Sequence, residues 1–175
     1  MKRFKIFGIA LEPYEGSPIV VLKDCKSDFI IPIWIGLNEA IEIANQIKGI
    51  QISGKGNITI TTTKPSPHDI INSILKSSNL SFEKIVISDI REHIYYAKLY
   101  LRKDKKLIKI DSRPSDALAL AMKNKVPIYV SKRVIDKISM VRQESERRSK
   151  MTRGERIKDK LKNLDLKSFG HFKLT

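Results

Sequence analysis

Two short stretches, NEAIEIA at residues 38–44 and SDALALA at residues 115–121, decide the predicted fold of this chain. They align position by position, and their apolar residues recur at the spacing of one helical face. Each follows three short runs rich in branched aliphatic residues, which is the pattern of three strands and a helix. The alignment of the two stretches indicates a duplicated unit; the alternative is chance agreement between two helices that are both rich in Ala, Ile and Leu. We predict an α/β (α+β) protein, with a mixed sheet, packed helices and a duplicated strand-strand-strand-helix unit.

The runs around these two stretches predict the remaining elements. Turn-forming residues separate the apolar runs. At Leu37 the spacing of the apolar residues changes from every second residue, as in a strand, to the spacing of a helix. Strands are predicted at 5–11, 19–23, 29–35, 57–63, 82–90, 94–101, 106–110 and 127–130. Helices are predicted from 37 onward, around 70–75 and around 117–122. Trp34, at the end of a predicted strand, is expected in the core rather than as a platform for a base.

The composition limits the class of protein. Hydrophobic residues make up 41% of the 175 residues, which is enough for a core, and no apolar run approaches the roughly 20 residues of a membrane span. The apolar run at 6–11 is too short for a signal peptide, so we expect a cytoplasmic protein. The single cysteine, Cys25, excludes an internal disulfide and is expected to be half-buried.

The positive charge is concentrated toward the C-terminus. The chain carries 34 Lys and Arg against 19 Asp and Glu, a net charge of +15. Residues 131–175 hold 14 of the basic residues and only 6 of the acidic ones. We therefore predict a globular domain at 1–140 and a basic, partly helical tail at 141–175. A polyanion suits such a surface, whereas a solvated helical face that keeps the protein soluble is the alternative.

Part of the tail has helical signals of its own. Residues 152–155 fit a capping box, and apolar residues then recur at helical spacing among many cations. We expect these cations to bind nucleic acid together with two residues of the domain. The candidate nucleic-acid-binding residues are Lys64, Arg113, Arg147, Arg148, Lys150, Arg153 and Arg156.

Three predicted helix starts concentrate the acidic side chains of the domain. Glu39, Asp69 and Asp116 each fall at about the third helical position, and proline occupies the first position of the second and third helices. Capping alone accounts for an acid at such a place, because it accepts unpaired backbone amides and offsets the helix dipole. These three residues are therefore candidates both for capping and for chemistry.

Capping does not account for His68, Arg113 or Asp111, which lie beside those acids. An arginine can bind a phosphate through two bonds, a histidine can move a proton, and carboxylates can hold a divalent cation. These are the materials of phosphodiester hydrolysis. The candidate catalytic residues are Glu39, His68, Asp69, Asp111, Arg113 and Asp116, and Asp69 and Asp116 are candidate ligands of Mg²⁺ or Mn²⁺.

Three blocks in this sequence resemble those of the bifunctional nuclease family. The first is IPIWIG at 31–36 followed by Glu39, the second is Pro65 with His68 and Asp69, and the third is DSRPSDA at 111–117 with PIYV at 127–130. The resemblance covers about residues 3–135. It implies an α/β fold with a duplicated strand-and-helix motif, nuclease activity on DNA or RNA, and self-association, for which a homodimer is expected.

The second block departs from the family pattern. Lys64 stands where arginine is usual, so the charge is kept but the two-bond phosphate contact is lost. Two other functions stay open beside nuclease activity. One is a non-catalytic module that binds nucleic acid or regulates another protein, and the other is an assembly protein that docks through its basic tail.

Overall fold

The computed structural model describes residues 1–12, 16–46, 65–92 and 94–150, with only the backbone of 146 and 148–150. These residues contain seven strands and four helices. The strands are β1 (Lys2–Leu11), β2 (Pro18–Asp24), β3 (Ile30–Trp34), β4 (Ser81–Arg91), β5 (Ile94–Lys103), β6 (Lys106–Ser112) and β7 (Ile128–Val130). The helices are α1 (Leu37–Gln46), α2 (Pro67–Ser77), α3 (Pro114–Asn124) and α4 (Lys132–Lys150). Their order along the chain is β1-β2-β3-α1-α2-β4-β5-β6-α3-β7-α4.

The strands form one mixed sheet in the order β3-β2-β1-β7-β4-β5-β6. Neighbouring strands are antiparallel except β4 and β7, which run parallel. Each half is therefore a three-stranded meander that ends in a helix, and short β7 joins the two halves. The predicted fold class is confirmed, whereas a common origin of the two halves stays a prediction.

Helices α1, α2 and α3 form a layer on one side of the sheet. α3 packs on β4 and β5, α1 packs on β2, and α1 and α3 pack against each other. The period-two alternation of the strands places buried residues such as Leu22, Ile87 and Leu101 toward this layer. The alanines of α3 at 117, 119 and 121 are fully buried. Their small side chains let the neighbouring elements approach closely. The core therefore lies between the sheet and the α1–α3 layer.

The chain divides into two compact units, residues 1–135 and 136–175. Within the first unit, Val134 near the start of α4 is fully buried. Within the second, the described residues continue α4 as a highly polar helix to Lys150. No helix of the described residues is long and apolar enough to cross a membrane. The strand predicted at 57–63 and the capping box at 152–155 lie outside the described residues.

Two expectations for single side chains are wrong. Trp34 is mostly exposed, because it ends the edge strand β3 and alternates with the buried Ile31 and Ile33, so it faces away from the helices. Cys25 is exposed rather than half-buried, since it follows β2 in a turn. Neither side chain contributes to the core.

Replacing Leu118 by alanine is expected to lower the free energy of unfolding by about 2–5 kcal/mol. Leu118 is fully buried in α3 between the sheet and α1, so truncation leaves a cavity. Urea denaturation followed by circular dichroism measures the change. Leu107→Ala is the matched control, because Leu107 is exposed on the edge strand β6. Equal losses in the two variants would contradict the assigned core.

Candidate active site

A cleft opens where the first turns of α1, α2 and α3 meet. Its walls carry side chains from each helix start and, at one side, apolar residues of β5 and β6. The helix starts bring five of the six candidate catalytic residues to this cleft, and the sixth lies on its rim. These residues are Glu39, His68, Asp69, Arg113 and Asp116, with Asp111 at the end of β6. Three helix N-termini in one cleft also favour an anionic ligand, because the first backbone amides of a helix carry partial positive charge.

Arg113 connects the starts of α1 and α3. Its Nε and Nη2 atoms donate to the two carboxylate oxygens of Asp116 at 2.7 and 2.8 Å, and Nη2 also donates to Glu39 Oε1 at 3.1 Å. A Cβ at Gly36 would meet the Glu39 carboxylate, so a larger residue there would require the Glu39 side chain to move. Hydrogen bonds and charge attraction from Asp116 raise the pKa of Arg113, with a smaller contribution from Glu39. The guanidinium is nevertheless 70% exposed, so it remains accessible to a ligand.

His68 lies buried between two carboxylates. Its Nδ1 atom makes a short hydrogen bond with Glu42 of α1, and its Nε2 atom lies 3.5 Å from Asp116 Oδ1. The side chain is only 8% exposed, although it lines the cleft. A carboxylate bonded to one ring nitrogen fixes the orientation of the ring and leaves the other nitrogen for chemistry. His68 thus continues the chain of contacts from Glu39 through Arg113 and Asp116 to Glu42.

Asp69 belongs to a separate cluster on the same wall. Its carboxylate accepts from the backbone amide of Ser66 at 2.9 Å, and the Ser66 hydroxyl accepts from the Asp69 amide at 3.3 Å. This is a capping box, so the capping interpretation holds for Asp69. Lys123 of α3 contacts Asp69 Oδ1 and the Ser66 hydroxyl, each at 2.8 Å. Asp116 differs, since it binds the Arg113 guanidinium while the N-cap of α3 makes no side-chain capping bond.

Asp111 is not brought together with the other acids. Its carboxylate pairs with Lys98 Nζ at 2.9 Å across the β5–β6 ladder, and the side chain is largely exposed. Asp111 also borders the cleft, but it alternates with Ile110 along β6, so its carboxylate points to the side of the strand on which Lys98 lies. The acids that the structure gathers around the histidine are Glu42 and Asp116.

Two charged residues of the cleft were not among the sequence candidates. Glu42 holds His68, and Lys123 joins α3 to Asp69 and lies 4.0 Å from Glu42. The signal for Glu42 is its position three residues after Glu39, which puts both acids on one face of α1, whereas Ala40 and Ile43 are buried. Lys123 carries no comparable signal, because a lysine in the last turn of a helix is common for dipole reasons alone.

The candidate nucleic-acid-binding residues fall into three groups. Arg113 lies in the cleft, and Arg147 is exposed on α4. Arg148 and Lys150 also lie on α4, but their side chains are outside the described set. Lys64, Arg153 and Arg156 lie outside the described residues. For all seven residues, binding of nucleic acid stays a prediction.

The described acids do not form a metal cluster. No three His, Cys, Asp or Glu side chains within 1–12, 16–46, 65–92 and 94–150 are grouped so that they could hold an ion. Asp69 is bound by Lys123 and Asp116 by Arg113, so Mg²⁺ or Mn²⁺ at these carboxylates would have to displace a cation from each. The described arrangement therefore does not fit the predicted metal, and we derive no step through one.

Comparison with known proteins identifies the family of this chain. A model of the bifunctional nuclease domain matches residues 20–143, which include every cleft residue named above. The chain belongs to the bifunctional nuclease domain family. It is similar to an uncharacterized protein of Mycobacterium tuberculosis (strain ATCC 25618 / H37Rv), with 31% identity over 135 residues, 77% of this chain and 74% of that protein.

A second relative of the family carries a functional name. Bifunctional nuclease 1 of Oryza sativa subsp. japonica is 25% identical over 119 residues, which is 66% of this chain and 33% of the rice protein. The shared region thus spans about a third of that plant protein. Residues 20–143, which match the family model, cover most of the sheet and all of α1, α2 and α3. The matched region therefore contains every helix that forms the cleft.

The Asp69 cluster predicts a pH-dependent contribution to stability. The hydrogen bond from Lys123, followed by that from the Ser66 amide, lowers the pKa of Asp69 from 3.8 to about 2. A carboxyl with a lower pKa in the folded chain stabilises the fold above pH 3.8 and loses this contribution as the pH falls toward 2. Because the side chain is 46% exposed, we expect Asp69→Asn to cost about 1 kcal/mol or less at pH 7.

Urea denaturation of Asp69→Asn and the unchanged protein between pH 7 and pH 3 tests this expectation. The difference in free energy of unfolding should narrow as the pH falls below about 4. Asp104→Asn is the matched control, since Asp104 lies in the turn between β5 and β6. A difference for Asp69→Asn that is constant over the whole range would contradict the role of its charge.

Proposed function

We propose that this protein hydrolyses phosphodiester bonds in DNA, RNA or both, at the cleft between α1, α2 and α3. The observation that carries the proposal is the unbroken chain of contacts from Glu39 through Arg113, Asp116 and His68 to Glu42. Membership of the bifunctional nuclease family and the functional name of the rice relative support the reaction class.

Arg113 is the phosphate-binding group in this proposal. Two of its nitrogens are held by Asp116 and Glu39, which fixes the plane of the guanidinium. Among the described residues Nη1 has no hydrogen-bond partner in this arrangement, so it can donate to a phosphate oxygen at the cleft surface. A positively charged donor held in place before the reaction stabilises the negative charge that builds up on the phosphate in the transition state.

His68 is the proton-transfer group. The bond from Nδ1 to Glu42 keeps the ring in one orientation, so Nε2 is the nitrogen that faces Asp116. In the proposed reaction Nε2 takes a proton from the attacking water or gives one to the leaving oxygen. Glu42 stabilises the positive imidazolium form, which is the role of an acid bonded to a catalytic histidine.

Cleavage of labelled single-stranded DNA and RNA by the highly purified chain tests the proposal. We expect shortening of at least one of the two substrates, measured with Mg²⁺, with Mn²⁺ and with a chelator. Dependence on the metal would support the predicted cation, whereas full activity with the chelator would exclude it. Binding without cleavage under every condition would favour the non-catalytic module instead.

The homodimer belongs to the same proposal and derives from the family resemblance, whereas the cytoplasmic location is proposed separately. Sedimentation velocity of the full chain tests the dimer, with a single species of twice the chain mass as the expected result. Removal of residues 141–175 tests the tail: affinity for nucleic acid should fall if the tail binds it. An unchanged affinity would favour the assembly protein that docks through the tail.

A further inference from the structure

The side of the sheet opposite α1, α2 and α3 has an unusual pattern of side chains. Because residues alternate along each strand, the neighbours of buried Ile85, Leu99 and Ile128 point to this side. We call it the open face and define it by six basic and four aromatic side chains of residues 1–135. The basic ones are Arg3, Lys5, Lys23, Lys84, Lys98 and Lys109; the aromatic ones are Phe7, Tyr96, Tyr100 and Tyr129.

Carboxylates neutralise only part of this charge. Lys98 pairs with Asp111 at 2.9 Å and Lys23 with Asp28 at 2.6 Å. Among the described residues, Arg3, Lys5 and Lys109 have no carboxylate partner, and all three are exposed. The open face is therefore net positive, and its unpaired cations lie on strands from β1 at the centre to β6 at the edge.

One pair of cations is placed unfavourably for the isolated protein. Lys5 of β1 lies directly opposite Lys23 of β2 in the antiparallel ladder. Like charges at directly opposite positions repel and weaken the pairing of strands. Asp28 partly balances the charge of Lys23, whereas Lys5 has no carboxylate partner among the described residues, so a bound polyanion would reduce the remaining repulsion.

Aromatic rings lie between the cations. Lys84 and Lys109 place their ammonium groups 5.1 and 5.8 Å from the centre of the Tyr100 ring. Lys23 lies 5.6 Å from the ring of Phe7, and Arg91 lies 5.1 Å from the ring of Tyr96. Tyr96 is 42% exposed and Phe7 is more exposed still, so both rings have surface available for stacking. Cations alternating with accessible rings match a ligand that alternates phosphates with flat bases.

We propose that the open face binds single-stranded nucleic acid and holds it to the protein independently of the cleft. The cations contact phosphates, and Tyr96 and Phe7 stack on unpaired bases, which a duplex does not present. From Lys23 on β2 to Lys109 on β6 the face spans five strand spacings, about 24 Å. The inference rests on the proposed function for its choice of polyanion, but it concerns a different surface and different residues.

Fluorescence anisotropy with a labelled oligothymidine of about 16 nucleotides tests the inference. The double variant Lys5→Gln/Lys109→Gln of the full chain removes two unpaired cations. We expect its affinity to fall on the order of tenfold and the slope of log K against log salt to become shallower by about 1.4. Tyr96→Leu should lower affinity at least about fivefold, from the loss of stacking. Lys26→Gln/Lys76→Gln is the matched control of equal charge, since both lysines are exposed outside the open face, and it should bind like the unchanged protein.

The outcomes separate this inference from the proposed function. If both double variants bind alike, or if duplex of the same length binds as tightly as single strand, the inference is overturned even when the protein cleaves. If the Lys5/Lys109 variant instead changes only the sedimentation of the protein, or only its binding to vesicles of anionic lipid, the face serves another partner and the inference is also overturned. Weaker binding by the face variants supports it, including in a protein that cleaves nothing.

Discussion

Replacing His68 by glutamine is expected to lower the rate of phosphodiester cleavage by about 10²–10⁴-fold, the contribution of a positioned acid–base group. Glutamine is polar and of similar size but does not exchange a proton at neutral pH. The measurement is the single-turnover rate on labelled single-stranded DNA and RNA. His171→Gln, at a histidine outside the described residues, is the matched control and should keep full activity.

The buried position of His68 calls for a second variant. Removal of the ring takes away the hydrogen-bond partner of the Glu42 carboxylate, so we expect His68→Gln to be less stable, and circular dichroism must show that it is folded. Glu42→Gln keeps the ring and a neutral acceptor beside Nδ1. We expect a rate loss of about 10–100-fold for this variant, because the ring loses the carboxylate that orients it. An unchanged rate would contradict the role of Glu42.

Replacing Arg113 by glutamine is expected to lower kcat/KM by about 10²–10³-fold, as for the loss of one preorganised donor to a developing charge. The loss has two sources. The phosphate loses its cationic donor, and Glu39 and Asp116 become uncompensated negative charges that repel it. Steady-state kinetics on the same substrates measure the change.

A second arginine provides the control for Arg113. Arg133 is similarly exposed and is also paired with a carboxylate, at 3.3 Å from Asp89 Oδ2, but it lies outside the cleft. Arg133→Gln should leave kcat/KM within about twofold. Equal losses in the two variants would indicate a general effect of surface charge and would argue against phosphate binding by Arg113.

The fold could be predicted largely because its signals are local. Alternation and helical spacing identify the strands and helices, and the aligned stretches at 38–44 and 115–121 are α1 and α3, which pack against each other. The order of the sheet is not local. β7 lies between β1 and β4 and pairs parallel with β4, and nothing in the three residues Ile128–Val130 specifies those neighbours.

The site was predicted at its helix starts and missed where it depends on packing. His68, Arg113 and Asp116 were recognisable because their residue types exceed what capping requires. The partner of His68 is Glu42, one turn inside α1, and only the packing of α1 near α2 brings the two together. For Asp111 the sequence was misleading in the opposite way. Its place just before Arg113 suggested a carboxylate in the cleft, but strand alternation points this carboxylate toward Lys98.

The central claim is that the cleft of this chain, through His68, cleaves nucleic acid. The most direct measurement compares cleavage of single-stranded DNA and RNA by the unchanged chain, His68→Gln and His171→Gln, all purified in parallel by one procedure. The account predicts cleavage by the unchanged chain and by His171→Gln, with His68→Gln at least about 100-fold slower. Equal cleavage by all three would contradict it, because the activity would then not come from this cleft.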